Sequence, residues 1–358
     1  MSRWKCPTLP MLLLVALVGC GGPKTEYKYR VAVIPKGLSH QFWQSIHRGA
    51  ERAAADLASQ GIAVEIVWVG PRTEDDAQAQ ITLVEQQVAN GVSGIVLAPQ
   101  HSEQMVPAVQ SAVAQNIPVL VIDSGLDARN LIVKYVATNN YHGGELAANR
   151  LLDVLKAEGK SAPKLVLFRY KTGSESTDQR EKGFEDHVNR VIEEQNKRGE
   201  PTITWLSTNK YAGATIDSAL AVATPLLNSL QDQGIDGIFA PNESSATGML
   251  KALQSLGLNK KVCLIGFDSS EPLLQAVHDG DIDALIVQDP YRMGYLGVWT
   301  LVQHLEGKDV TPGGEKEQST GEYLVTKENL NEVATRELFD PDMQAKRTIQ
   351  TPAFAAKK

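Results

Sequence analysis

From Tyr29 onward the chain alternates short apolar runs with longer segments of helical period. The runs are RVAVI (30–34), VEIVWV (64–69), GIVLA (94–98), PVLVID (118–123), LIVKYVA (131–137), KLVLFR (164–169), TITWLS (202–207), GIFA (237–240), VCLIGF (262–267) and ALIVQ (284–288). Most are near-continuous Val, Ile and Leu without polar alternation, as in parallel strands covered on both faces. Between them lie helix-length segments. Residues 41–59 place Phe42, Ile46, Gly49, Ala53 and Leu57 on one stripe, and 73–89 and 141–158 have similar length. A β-α-β-α order predicts doubly wound α/β layers with right-handed crossovers. Ten strands are many for one open sheet, so two α/β domains are expected, which suits a chain of 358 residues.

In open parallel sheets, ligands bind beyond the carboxyl ends of the strands. After RVAVI come Ser39, His40, Phe42 and Trp43; after PVLVI, Asp123; after KLVLFRY, a polar loop leading to Arg180. After GIFAP comes Asn242, after CLIGF Asp268, and after ALIV Gln288. Any one of these could be a turn former or a helix cap. Six such groups at one class of position point to a binding rim. Phe42 shares the apolar stripe of its helix while Trp43 heads a different row, so Trp43 is the expected stacking surface and Phe42 is split between surface and core. Asp268 could also cap the helix starting near Ser270, and Arg180 could be a surface partner of Glu181 or Glu185.

Charge narrows the field. The net charge is −7 and no basic block occurs, which argues against nucleic acid as a partner. Arg3 and Lys5 precede MLLLVALV (11–18), an apolar core too short to span a bilayer and suited to a secretory leader. Leu17-Val18-Gly19-Cys20 follows, in the order of a bacterial lipobox, so residues 1–19 are expected to be a lipoprotein signal peptide. Cys20 is then the lipidation site, and residues 20–29, with GGPKTEYK, form a flexible tether. Cys263, in an apolar run, reads as an inert buried thiol, so no disulfide framework exists. No histidine–acid cluster has zinc spacing, no glycine pair makes a dinucleotide fingerprint, and Ser174 and Ser176 lack a nucleophile elbow. An enzyme, a metal site and a cofactor are therefore not expected. A leader in place of a helix-turn-helix argues against a repressor.

Several motifs together carry a resemblance: VAVIPKGLSHQFWQSIHRGAERAA, IVLAP, NIPVLVIDS, ATNNYHGGELAA, STDQREKGFE, IFAPNESSATGML, LIGFDSSEPLLQAV and IDALIVQDPYRMG. In this order, across residues 29–330, the chain resembles the type I periplasmic sugar-binding proteins of bacterial ABC importers, nearest the ribose-binding group. The resemblance implies the periplasmic-binding-protein-like I fold, two domains joined by three crossovers near Thr138, Gln288 and Thr320. It divides the chain into residues 30–138 plus 289–320 and residues 139–288 plus 321–330. Residues 331–358 lie outside it and read as an exposed extension.

The resemblance also implies a ligand set. Phe42 and Trp43 match paired stacking aromatics, and Tyr211 matches the ring covering the other sugar face. Asp123, Arg180, Asn242, Asp268 and Gln288 match the polar set, with Phe267 adding apolar contact. Asn140 either bonds at the rim or caps its helix. His40 stands where the ribose pattern has Asn, and Ser124 where it has Arg, so ribose itself is in doubt. A calcium loop of alternating carboxylates, found in the glucose/galactose branch, is absent. The implied function is a monomeric, lipid-anchored receptor in the periplasm that hands a monosaccharide to an inner-membrane ABC permease. A sensor presenting its closed form to a membrane kinase reads the same in sequence.

Overall fold

The apolar runs fall into two sheets rather than one. The computed structural model describes residues 1–2 and 26–357; the leader, Cys20 and most of the tether lie outside the described residues. In chain order the first lobe is built from β1 (Tyr29–Ile34), α1 (Gln41–Ser59), β2 (Val64–Trp68), α2 (Ala77–Ala89), β3 (Gly94–Leu97), α3 (Val106–Ala114), β4 (Val119–Ile122) and β5 (Tyr135–Ala137). The second lobe follows with α4 (Asn140–Ala157), β6 (Lys164–Arg169), α5 (Glu175–Arg198), β7 (Thr204–Tyr211), α6 (Ile216–Leu230), β8 (Gly237–Phe239), α7 (Glu243–Ser255), β9 (Cys263–Phe267), α8 (Glu271–Asp279) and β10 (Ala284–Gln288). Then come α9 (Pro290–Leu305), β11 (Glu317–Ser319), β12 (Glu322–Thr326), α10 (Val333–Arg336) and α11 (Pro341–Lys346).

The first sheet has the order β11-β5-β4-β3-β1-β2 and is parallel throughout. The second has the order β12-β10-β9-β8-β6-β7, parallel except for the edge strand β12. Among the described residues the chain therefore passes between the two sheets three times, from β5 to α4, from β10 to α9 and from β11 to β12, before its C-terminal segment returns to the first lobe. Each sheet is covered on both faces, which is why its central strands lack polar alternation. Val31, Val33 and Leu120 face α1 and α9, while Ala32, Ile34 and Val121 face α2 and α3. In the second lobe, Leu165, Phe239 and Ile265 pack on α4 and α5, and Val166, Ile238 and Leu264 pack on α6, α7 and α8.

Both lobes lock one helix pair by reciprocal glycines. A methyl group on Gly49 of α1 would overlap the Tyr291 carbonyl of α9, and one on Gly294 would overlap the Ile46 carbonyl. In the second lobe a methyl on Gly144 of α4 would overlap the Arg180 carbonyl, and one on Gly183 of α5 would overlap that of Tyr141. Backbone-to-backbone contact of this kind sets the height of α5, and with it the position of Arg180.

The segment after Leu330 is not an exposed extension. Leu338 is 5% exposed and Gln344 fully buried. Phe339 packs on the second lobe's core, whereas Ile349 and Phe354 pack on the first lobe's. Four apolar residues spread over seventeen positions carry no period, so the sequence pattern does not mark them as core. Helix starts also differ from expectation. α2 begins at Ala77, capped by the Asp76 side chain, instead of at position 73. β5 keeps only three of the seven residues in its apolar run.

Candidate functional site

The strand ends of both sheets meet at one small cavity of ≈ 20 Å³ between the lobes. From the first lobe it is lined by Lys36, His40, Phe42 and Trp43 after β1, Glu74 after β2, and Asp123 after β4. From the second come Tyr170 after β6, Ser176, Thr177 and Arg180 on α5, Asn242 after β8, Asp268 after β9 and Gln288 at the end of β10. A larger cavity of ≈ 540 Å³ also touches Phe42, but it lacks this convergence of buried charges.

Asp123 and Asp268 occupy equivalent places at the ends of β4 and β9, and both hold left-handed backbone, with φ of 60° and 72°. A non-glycine residue rarely adopts that conformation, and such strain concentrates at functional sites. It turns each carboxylate from its strand into the space between the lobes.

On the first-lobe wall, charges are paired with charges. The Lys36 ammonium lies 3.2 Å from Asp123 Oδ2 and donates to Ser174 Oγ (3.1 Å) and Ser176 Oγ (3.0 Å) across the cleft. Glu74 Oε1 lies 2.7 Å from His40 Nδ1 and accepts from Trp43 Nε1 at 2.8 Å. Its Oε2 accepts from the Tyr170 hydroxyl of the other lobe at 2.7 Å. Burial works against charge on His40, but the Glu74 carboxylate outweighs it and raises the imidazole pKa to about 9. Glu74 is held well below the usual carboxylate range; burial opposes this, and His40, Lys36 and Tyr170 overcome it. Lys171, whose ammonium donates to the Glu74 carbonyl, is lowered to about 8 by burial.

On the second-lobe wall, neutral donors do more of the work. Asp268 Oδ2 accepts from the Glu243 backbone N–H at 2.9 Å, and Oδ1 from Gln288 Nε2 at 2.7 Å. Burial raises its pKa, with Arg180 opposing. Gln288 Oε1 in turn accepts from Thr138 Oγ1 at 2.8 Å, tying two of the interlobe passages to the site. Arg180 is 2% exposed; its Nε donates to Asn140 Oδ1 (2.8 Å), one terminal nitrogen donates to the Pro241 carbonyl (3.0 Å), and the guanidinium lies 3.8 Å over the Phe267 ring. Asn242 caps α7 by accepting from the Ser245 N–H at 3.2 Å.

Two helix starts at the cleft are capped from the opposite lobe. Neither α1 nor α8 has a side-chain cap of its own. Glu243 Oε1 accepts from the Gln41 N–H at 3.5 Å, and Gln41 Oε1 accepts from the Glu271 N–H at 2.9 Å. Burial raises Glu243 to about 7.

Of the residues expected from sequence, His40, Phe42, Trp43, Asp123, Arg180, Asn242, Asp268 and Gln288 line the cavity. Asn140 and Phe267 stand behind Arg180, and Ser124 Oγ accepts from the Ser176 N–H at 3.1 Å. Asn140 does not cap its helix; the cap is Asn139. Asp268 serves the N-terminus of α7 rather than that of α8, and Glu181 and Glu185 pair with Arg169 rather than with Arg180. Tyr211 is 44% exposed on the edge strand β7 and stands away from the cavity, whose inward ring is Tyr170. Both rings of the aromatic pair line the cavity; Phe42 also packs half-buried against the first lobe's core, and Trp43, 2% exposed, belongs to that core as well. The two rings meet edge to face, with centroids 4.9 Å apart.

Lys36, Glu74, Tyr170, Ser176 and Thr177 escaped the sequence reading. Glu74 had a signal, since PRTEDD follows the VEIVWV run and so occupies a strand-end loop like the others. Tyr170 comes directly after β6 and Lys36 two residues after β1, with no local pattern to separate them from ordinary strand-end residues.

A family model for a periplasmic binding protein domain matches residues 31–309. The D-ribose/D-allose-binding protein of Pseudomonas aeruginosa is 27% identical over 320 residues, covering 86% of this chain and 93% of that one. The ribose import binding protein of Bacillus subtilis is 28% identical, covering 81% and 85%. An ABC transporter solute-binding protein of Agrobacterium vitis with bound D-fucose superposes with a TM-score of 0.76 at 32% identity, covering 86% of this chain and 99% of that one. A carbohydrate transporter solute-binding protein of Agrobacterium radiobacter in complex with D-arabinose gives 0.75 at 31% identity, covering 87% and 99%. With two doubly wound lobes closing on a strand-end site, and with a family model spanning most of its length, the chain belongs to the periplasmic binding protein domain family.

Proposed function

We propose that this protein captures a neutral monosaccharide between its lobes and delivers it to an ABC permease in the inner membrane, as a monomer tethered by lipid on Cys20. The observation that carries the reading is the meeting of three aromatic rings, Phe42, Trp43 and Tyr170, with buried planar donors and acceptors, drawn from the strand ends of both sheets, at one cavity. Rings cover the C–H faces of a sugar, and amide, guanidinium and carboxylate groups match its hydroxyl rim. The lobes are residues 30–138 plus 289–320 and residues 139–288 plus 321–330, turning about the passages near Thr138, Gln288 and Thr320. Lys36 pairs with Asp123, His40 with Glu74, and Arg180 faces Asp268, three cations against three carboxylates, which favours a neutral sugar over a sugar acid or phosphate. The sugar names carried by the relatives support the class. His40 and Ser124, which depart from the ribose pattern, favour a sugar other than ribose.

A thermal-shift screen of the full chain against D-ribose, D-allose, D-arabinose, D-fucose and polyols tests this. A ligand at about a thousand times Kd stabilises by about 4 kcal/mol, and silence with every carbohydrate would sink the reading. The anchor is tested separately: Cys20→Ser is expected to release the protein from membranes, and continued membrane association would refute lipidation.

A further inference from the structure

Three passages join the lobes, and the C-terminal segment makes a fourth connection. Leu338 and Phe339 are seated in the second lobe's core. A few residues later the chain is held by the first lobe. Gln344 Oε1 accepts from Ser45 Oγ (3.2 Å) and Arg48 (3.1 Å) on α1, and Arg52 donates to the Ala345 carbonyl at 2.7 Å. Arg347 grips both oxygens of Asp289 at 2.6 Å. Ile349 and Phe354 enter the first lobe's core, and the Asp309 N–H donates to the Ala355 carbonyl at 2.8 Å. This segment lies beyond residues 31–309, the span matched by the family model.

We propose that residues 338–357 are a strap that holds the cleft toward its closed arrangement. Two features give it that role. First, it has little slack. Only four residues separate the anchor at Phe339 from the one at Gln344, and α11 fills most of that gap at about 1.5 Å per residue. Second, it lies beside the mouth of the cleft. Leu338, Phe339 and Pro341 line the ≈ 540 Å³ cavity together with Gln41 and Phe42 from the start of α1 and Ser270 and Glu271 from the start of α8. Those helix starts are the lips that cap each other across the cleft. Opening the lips pulls the two strap anchors apart, so one must be released. A protein whose competent state is more populated binds with a lower apparent Kd in proportion to that population. The strap thus tightens sugar binding without touching the sugar. The affinity half of this inference rests on the proposed sugar function; the restraint on opening does not.

The test is an eight-residue Gly/Ser insertion between Phe339 and Asp340 of the full chain, which keeps both anchors and removes the coupling. A second variant, Gln344→Ala with Arg347→Ala, weakens the first-lobe anchor at unchanged length. Hydrogen exchange is read for residues 268–275, which include the Glu271 amide bonded across the cleft. Affinity is read by calorimetry with D-ribose, D-allose, D-arabinose and D-fucose. The expected result is exchange about tenfold faster and sugar affinity about tenfold weaker in both variants. Exchange at the wild-type rate in the inserted chain overturns the strap, whatever the sugar result. Faster exchange with no sugar bound by any chain, wild type included, upholds the strap and removes the sugar reading.

Discussion

The two walls of the cleft solve one problem in different ways. Each places an aspartate in left-handed backbone at the end of a sheet strand, Asp123 after β4 and Asp268 after β9. The first lobe balances its buried carboxylates with cations, Lys36 against Asp123 and His40 against Glu74. The second gives Asp268 a backbone N–H and an amide, with Arg180 held nearby by Asn140 and the Pro241 carbonyl. Breaking a buried ion pair leaves one charge uncompensated, whereas removing charge from an amide-bonded carboxylate leaves a neutral group of the same shape. The first wall should therefore fail in folding and the second in recognition.

The largest effect that would break this contrast is expected at Glu74. Glu74→Ala strands His40 and unbonds Trp43 Nε1 and the Tyr170 hydroxyl, and should cost about 3–5 kcal/mol in urea unfolding. A loss near 1 kcal/mol would show that the network is not a structural pivot. The same pair predicts a pH dependence. Because the folded pKa of His40 is raised to about 9 from 6.5, its contribution is fully present below pH 6.5 and lost as pH rises through 9. That loss is on the order of 3 kcal/mol. Unfolding followed from pH 6 to 10 should show it as a difference between the wild type and His40→Gln that shrinks as pH rises through 9. Glu243, raised to about 7, has the same sign over a lower window: its contribution is present below pH 4.5 and lost through pH 7. Lys171, lowered to about 8, has the opposite sign, because its burial penalty is relieved as pH rises from about 8 to 10.5; a wild-type-minus-variant difference that stays flat from pH 6 to 9 would contradict the His40 assignment.

Asp268→Asn tests the second wall. The amide keeps the shape of the carboxylate and no longer suffers the burial penalty that raises its pKa; it still accepts from the Glu243 N–H, and a flip of the Gln288 amide gives its NH2 group an acceptor. Stability should stay within about 1 kcal/mol of the wild type, while sugar affinity falls by about 1–3 kcal/mol, or roughly ten- to a hundredfold, for the lost charged acceptor. Calorimetry with the best sugar of the screen decides it. Equal affinity would place recognition elsewhere.

The same contrast explains what could be read from sequence. Near-continuous Val/Ile/Leu runs report burial on both faces, so β1, β3, β4, β6, β9 and β10 were legible, and strand-end position located most of the lining. What escaped depends on long-range partners. Lys36 is two residues past a strand and becomes part of the site only because Ser174 and Ser176 of the other lobe close over it. The strap is invisible for a related reason: Leu338, Phe339, Ile349 and Phe354 are isolated apolar residues whose cores are supplied by two different lobes. β11 and β12 are short edge strands with polar or alternating residues, and only pairing with β5 and β10 makes them strands. Helical rows do not separate Phe42 from Trp43 because rows assume one buried side, whereas the first turn of α1 has the first lobe's core below it and the cleft above, and both rings touch both.

The smallest expected effect separates the two tyrosines. Tyr211 matched the ring expected over one sugar face, yet it ends β7 at the sheet edge, 44% exposed. Tyr170 follows the adjacent β6 with no exposed surface, and its hydroxyl reaches Glu74 in the other lobe. If the cavity between the walls is where sugar binds, Tyr211→Ala removes nothing that a bound sugar touches. Its stability should change by no more than about 0.5 kcal/mol, as for most surface substitutions, and its affinity should match the wild type. Tyr170→Phe keeps the ring and removes one hydrogen bond to a charged acceptor, worth about 1.5–3 kcal/mol. Because that bond joins the two lobes, its loss should weaken sugar binding as well as folding. Should Tyr211→Ala lose affinity while Tyr170→Phe keeps it, the ligand would have to approach the β7 edge, and the division of labour between the walls would need to be redrawn around that strand.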